Sequence, residues 1–200
     1  MRKVNHQDRR VRRTQMQIRE AFLLLIEEKG YDQITVTDII TKADYNRTTF
    51  YRHYYDKQDL ANKIVDRQIE LFTEALLHPY RTAKVVNLDE ITSDEVIIFN
   101  HIIEHQDFYR LWNRLNSIPS FSHKYIHAIK KVLNEKIEVI SLSNGFINRK
   151  LYMQFYSYGL SGLIFNWIGN GFEQPPEYMA QQLTRILKSK PIKAMYIGDD

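Results

Sequence analysis

Two groups of side chains in this 200-residue sequence have types and spacings that could do chemistry. The first is HIIEH, His101 to His105, where two imidazoles stand one helical turn apart with Glu104 beside them. Such a pair can share a zinc ion, and the run formally matches the H-x-x-E-H pattern of a zinc-peptidase class whose glutamate is the base. His123 and His127 repeat the i, i+4 spacing, so four imidazoles could in principle hold a structural zinc. A peptidase would also need a distant further ligand and a substrate cleft, and pairs at this spacing arise easily by chance. Solvent-facing or hydrogen-bonded core histidines are therefore the expected reading, with no metal and no cofactor.

The second group is NRTTFYRHY, Asn46 to Tyr54. Polar side chains and aromatic hydroxyls crowd it, only Phe50 is wholly apolar, and it is too short to be stable as an isolated helix. On a helix that starts after Asn46, Phe50 and Tyr54 lie at i and i+4 and share a face that can pack inward. Arg47, Thr48, Tyr51 and Arg52 then point elsewhere. Their groups suit DNA: guanidinium for guanine edges, hydroxyl and methyl for other base edges, phenol for phosphate. The pattern predicts a reading helix that its neighbours must hold.

Charge points the same way. The formal net charge is only +4, yet Arg2, Lys3, Arg9, Arg10, Arg12 and Arg13 face Asp8 alone near the N-terminus. A basic N-terminal arm is a common electrostatic footprint for nucleic acid. Residues 61 to 200 are nearly balanced, with 16 basic and 15 acidic side chains, so the excess belongs to the N-terminal part. Without cysteine, a disulfide framework, a thiolate zinc site and a cysteine nucleophile are excluded. No phosphate loop or carboxylate pair stands out either, and no enzyme is expected. The apolar run Ala21 to Ile26 is short and flanked by Glu20, Glu27 and Glu28, unlike a signal peptide, which predicts a cytoplasmic protein. Leu151 to Phe172 is free of charge over a bilayer-spanning length. Gln154, Asn166, Asn170 and the interspersed glycines make it read as a helix buried all round, in a core or a subunit interface, rather than a membrane span.

The elements that must position these groups all read as helices. Ile18, Ala21, Phe22, Leu25 and Ile26 form one apolar stripe on a helix that stops at Gly30. Thr35 followed by Asp38 resembles a capping box and predicts a short helix from Val36 to about Ala43, with Ile39 and Ile40 inward. Asn46 is a good N-cap for a helix to about His53. Asp56 and Asp59 repeat the capping pattern and open a long helix to about His78. Further helices are expected at about 90–105, 107–117, 119–142, 147–170 and 176–189, punctuated by Pro119 and Pro175-Pro176. Helix, short helix, three-residue turn and short helix make a helix-turn-helix. The fold class expected is all-α, with a DNA-binding head over 1–56 joined to a larger helical bundle over 57–200.

The run ITVTDIITKADYNRTTFYRHYYDKQDL, Ile34 to Leu60, closely resembles the helix-turn-helix of the TetR family of bacterial transcription regulators. The resemblance is specific over residues 10 to 60; beyond them it extends only to helix pattern and length. It implies that Thr35 lies near phosphate, that Arg47, Thr48 and Thr49 look toward bases with Asn46 opening their helix, that Tyr51 and His53 look toward phosphates alongside Arg52, and that Lys57 approaches the backbone. Two residues depart from the pattern: Asp44 and Tyr45 stand where glycine and a small apolar residue are usual. Asp tolerates a left-handed turn. Tyr45 either fills a pocket between helices or extends its hydroxyl to DNA.

The resemblance further implies a homodimer through the last two helices, a palindromic double-stranded operator, and a small-molecule effector bound in an aromatic cavity. Phe72, Phe99, Phe108, Trp112, Tyr125, Tyr152, Phe155, Tyr156 and Phe165 are its candidate lining residues. The expected function is a ligand-responsive DNA-binding repressor; the alternative is a co-regulator of similar fold acting through a protein partner.

Overall fold

The computed structural model describes residues 6–82, 86–137 and 148–189; the parts of the expected 119–142 and 147–170 helices that fall within 138–147 lie outside the described residues. These residues form α1 (His6–Lys29), α2 (Val36–Lys42), α3 (Arg47–His53), α4 (Lys57–Leu76), α5 (Pro79–Thr82), α6 (Ile98–Glu104), α7 (Gln106–Tyr109), α8 (Trp112–Leu115), α9 (Phe121–Lys131), α10 (Arg149–Gly169) and α11 (Pro176–Lys188), and no strand among them. A 3-10 turn, Ser93–Glu95, precedes α6, and a π turn, Val132–Lys136, continues α9.

Local hydrogen bonds explain where the N-terminal helices start. Thr35 and Asp38 make the reciprocal capping box of α2, Asn46 Oδ1 accepts from the Thr49 amide at 2.8 Å, and Asp56 Oδ1 accepts from the Asp59 amide at 2.7 Å. Gly30, at φ +74°, takes the left-handed conformation that ends α1. At its other end α1 runs back to His6, so Arg9, Arg10, Arg12 and Arg13 ride on a helix rather than on a separate arm. No glycine or proline between His6 and Lys29 interrupts it, and glutamine, arginine and methionine are good helix formers.

Between Ile91 and Lys136 the chain is more broken than the three helices expected there. The 90–105 helix becomes a 3-10 turn followed by α6, and 107–117 splits into α7 and α8. The 3-10 turn and α6 pack on α11, and α6 also on α4, whereas α8 packs on α1 and α10; α7 and α8 lack side-chain caps.

One continuous core runs from Ile18 and Phe22 through Phe50, Leu60 and Phe72 to Tyr125 and Trp167. In it α2 rests on α1, α3 on α2, and α4 on both α6 and α9. Among the described residues helix α10 is not covered on all sides. Met153, Ser157, Ser161, Ile164, Trp167 and Ile168 face inward, whereas Leu151, Phe155 and Tyr158 are exposed. The two buried serines donate to the carbonyls of Met153 and Ser157, at 2.6 and 2.7 Å, which satisfies their hydroxyls inside the core. No described helix is long and apolar enough to cross a membrane.

Candidate nucleic-acid interface

Helix α3 is held from beneath. Phe50 is fully buried and Tyr54 nearly so, their ring centroids 5.5 Å apart, on the core built by α1, α2 and α4. Asp44 takes the left-handed conformation, at φ +56°, and so closes the turn where glycine is usual. Tyr45 then points inward and donates its hydroxyl to Gln17 Oε1 of α1 at 2.5 Å. Of the two readings of Tyr45 the structure takes the pocket, and its hydroxyl is not presented to DNA. No local pattern marks Gln17 as the partner, because it lies 28 residues back on α1.

With that side anchored, Asn46, Arg47, Thr48, Tyr51 and Arg52 are exposed, and Thr49 and His53 are half-buried beside them. Tyr51 packs edge-on against Phe50 at 5.5 Å while remaining 53% exposed, so its position is fixed and its hydroxyl stays accessible. Arg47 Nη2 donates to Thr37 Oγ1 at 2.9 Å, drawing α2 into the same face through a residue that sequence reasoning missed. The Asn46 carbonyl oxygen is used by the cap.

Two expected contact residues also make scaffold bonds. Lys57 Nζ donates to the carbonyls of Tyr31, at 2.9 Å, and Asp32, at 3.4 Å, and sits 4.3 Å from the Tyr31 ring centre. Its ammonium staples α4 to the turn after α1 rather than standing free beside α3. The Thr35 hydroxyl accepts from the Asp38 amide and donates to the Asp38 carboxylate within the cap. In both cases nearby backbone or carboxylate oxygens outcompete solvent for the polar group.

Charge is distributed accordingly. Lys29 and the Thr35 hydroxyl and amide hold the Asp38 carboxyl well below the usual carboxylate range. Burial, then the charges of Arg52 and Lys63, lowers the His53 imidazole below its ordinary value. The exposed cations Arg47 and Arg52 therefore dominate the face of α3, with Arg9, Arg10, Arg12 and Arg13 along the start of α1.

The expected aromatic cavity takes a different form. Phe72, Phe99, Phe108, Trp112 and Tyr125 are buried, but they pack ring on ring. Trp112 lies 4.7 Å from Phe121, 5.1 Å from Tyr125 and 4.8 Å from Phe165, and Phe72 meets Tyr125 at 5.4 Å. Tyr152 and Tyr156 pack on each other at 4.5 Å, and Phe155 is 75% exposed, so these residues do not line one chamber. A crevice of about 490 Å³ between α7, α8 and the end of α10 includes only Trp112 of the expected set. The expected cavity is filled because interlocking rings bury more apolar surface than an empty chamber would.

Two short helices joined by a tight turn, fastened through aromatic rings and presenting an exposed polar and cationic face, define a helix-turn-helix DNA-binding protein. The chain belongs to the TetR family. Residues 18–64 match the model of bacterial regulatory proteins of the tetR family, and residues 90–189 match that of a transcriptional regulator C-terminal region. It is 26% identical to YxbF of Bacillus subtilis, an uncharacterized HTH-type transcriptional regulator, over 95% of this chain but 48% of that protein, so it spans about half the length of this relative. Its fold is similar to a TetR transcriptional regulator of Streptococcus agalactiae, with a TM-score of 0.59 and 21% identity over 92% of this chain and 98% of the other. It is likewise similar to the regulator FadR of Bacillus subtilis in complex with stearoyl-CoA, with a TM-score of 0.56 and 18% identity over 87% and 97% of the two chains. Proteins of this family are transcription regulators rather than enzymes.

Proposed function

We propose that the chain is a homodimeric, effector-responsive repressor, with a DNA-reading head over residues 1–56 and a ligand-binding and dimerisation domain over 57–200. The observation that carries this reading is the presented face of α3: Arg47, Thr48, Tyr51 and Arg52 exposed together over a buried Phe50. In each subunit α3 enters a major groove, and two such helices one turn of DNA apart demand a palindromic operator. Arg9, Arg10, Arg12 and Arg13 add phosphate contacts from the start of α1. Thr49 and His53 border the reading face, and Thr35 and Lys57 act mainly by fixing α2 and α4. The inward Tyr45 weighs against the alternative, a co-regulator of similar fold acting through a protein partner, which that residue had left open.

Dimerisation is supported by the open side of α10 and α11, where Leu151, Phe155, Tyr158, Tyr178 and Ile186 are exposed. A β-carbon added at Gly159 or Gly162 would meet nothing within 4 Å, so packing among the described residues gives no reason for these small residues; close approach of a second helix does.

Effector response is supported by the core beside α4. The buried hydroxyls of Tyr109 and Tyr125 have only each other to bond, and both ends of the Gln68 amide are buried without hydrogen-bond partners among the described residues. Each unpartnered group costs about 1–3 kcal/mol. A mostly apolar effector that parts the rings and satisfies these groups gains that free energy, and it displaces α4 in doing so. Because ligands shift populations, this effector binds the released state better than the DNA-bound one.

The test is an electrophoretic shift with the DNA upstream of the protein's own gene, repeated across salt concentrations. Wild type binds an inverted repeat there, and Arg47→Ala weakens binding by roughly 1 to 3 kcal/mol and loosens sequence preference. Equal binding by the two proteins overturns the base-reading role of α3.

A further inference from the structure

The HIIEH stretch plays no part in DNA reading, and its geometry is specific. His101, Glu104 and His105 lie at the end of α6, and their ligand atoms are all within 4.8 Å of one another. His101 is only 8% exposed, yet its Nε2 has no hydrogen-bond partner among the described residues. Leaving a buried nitrogen unpartnered is costly unless something else satisfies it. The neighbouring ring is already oriented: His105 Nδ1 lies 2.9 Å from the His101 carbonyl oxygen, to which it donates, so the lone pair of its Nε2 is left free. A bond of this kind fixes the tautomer of metal-binding histidines. The two imidazole centres are 4.3 Å apart.

We propose that His101, Glu104 and His105 form a binding site for a divalent transition-metal ion of the zinc class. Two imidazoles and a carboxylate suit Zn²⁺ and its late first-row neighbours, whereas Mg²⁺ and Ca²⁺ take oxygen donors. Ligand atoms around a tetrahedral zinc stand about 3.3 Å apart, so small side-chain rotations close the site. His101 and Glu104 also line a crevice of about 300 Å³ against the last turns of α4, together with Glu74 and His78. The open coordination position faces this crevice, where water, Glu74 of α4 or His78 just beyond it completes the shell. An ion held there bridges α6 to α4, the helix that begins at Lys57 directly after the head. His123 and His127, both exposed on α9, take no part.

The experiment uses the full chain, freed of any histidine tag and stripped with chelator, then dialysed against Zn²⁺ alone and separately against Mg²⁺ alone. Bound metal is measured by elemental analysis and thermal unfolding follows. The wild type takes up a single zinc per chain and melts at a higher temperature with it, and takes up no magnesium. His105→Gln, at a half-exposed position, keeps the metal-free melting temperature of the wild type and binds zinc roughly tenfold or more weakly. Glu104→Gln, fully on the surface, also weakens it. Substoichiometric zinc in the wild type, or unchanged zinc affinity in both variants, overturns the site. Uptake is read without DNA, so a failed operator experiment and a failed metal experiment are distinguishable.

Discussion

The Tyr45 hydroxyl donates to Gln17 Oε1 at 2.5 Å and so ties the turn before α3 to the middle of α1. A residue that departs from the family pattern thus works as an internal strut. Tyr45→Phe keeps the ring and loses only the bond, so it lowers stability by about 0.5–1.5 kcal/mol in denaturant unfolding. Its operator preference, measured by selection from random duplexes, stays that of the wild type. A changed preference at any base position would mean that the hydroxyl reads DNA after all.

Phe50 and Arg47 sit on the same two turns of α3 and divide its tasks. Phe50→Ala empties a fully buried ring site and costs about 3–5 kcal/mol of stability. Arg47→Ala, on the exposed side, changes stability by no more than about 0.5 kcal/mol while weakening DNA binding. Unfolding curves and shift assays on the two variants separate anchoring from reading. Comparable destabilisation by both would contradict the division.

Acidification tests the cap of α2. In the folded head Lys29, at 2.8 Å, and then the Thr35 hydroxyl and amide depress the Asp38 carboxyl below its ordinary value near 3.8. The unfolded chain therefore takes up this proton first, so the contribution is complete above that ordinary value and is lost as the pH falls through the depressed one. Asp38→Asn melts at a lower temperature than wild type at about pH 7, and the gap narrows toward about pH 3. A gap that stays constant across this range would show that the carboxylate charge contributes nothing.

How much of this was legible depends on how local the determining interactions are. The starts of α2, α3 and α4 were readable because Thr35, Asn46 and Asp56 each bond an amide three residues on. Phe50 and Tyr54 were readable as anchors from their i, i+4 spacing. Tyr45, Lys57 and Arg47 found partners at Gln17, Tyr31 and Thr37, between 10 and 28 residues away, and nothing in a local window marks such pairs. The exposed Phe155 was misread as lining a cavity for a different reason: apolar residues surround α10 on every side, so its sequence does not say which of them faces the core.

That ambiguity is also what makes α10 informative about assembly. A helix that exposes Leu151 at 65%, Phe155 at 75% and Tyr158 at 48% leaves an apolar patch of the kind that marks an interaction site. Aromatic and aliphatic anchors at the centre of such a patch carry most of its binding free energy. Phe155→Glu places an unpaired charge there, and because the side chain is exposed in the single chain it leaves that chain's own core intact. Light scattering at micromolar concentration is expected to give twice the 24.0 kDa chain mass for the wild type and that of a single chain for the variant. The variant also loses most of its operator affinity, since each head alone contacts only half of a palindrome. A variant that keeps the doubled mass would move the interface away from this face of α10, and a wild type at the single-chain mass would remove the dimer itself.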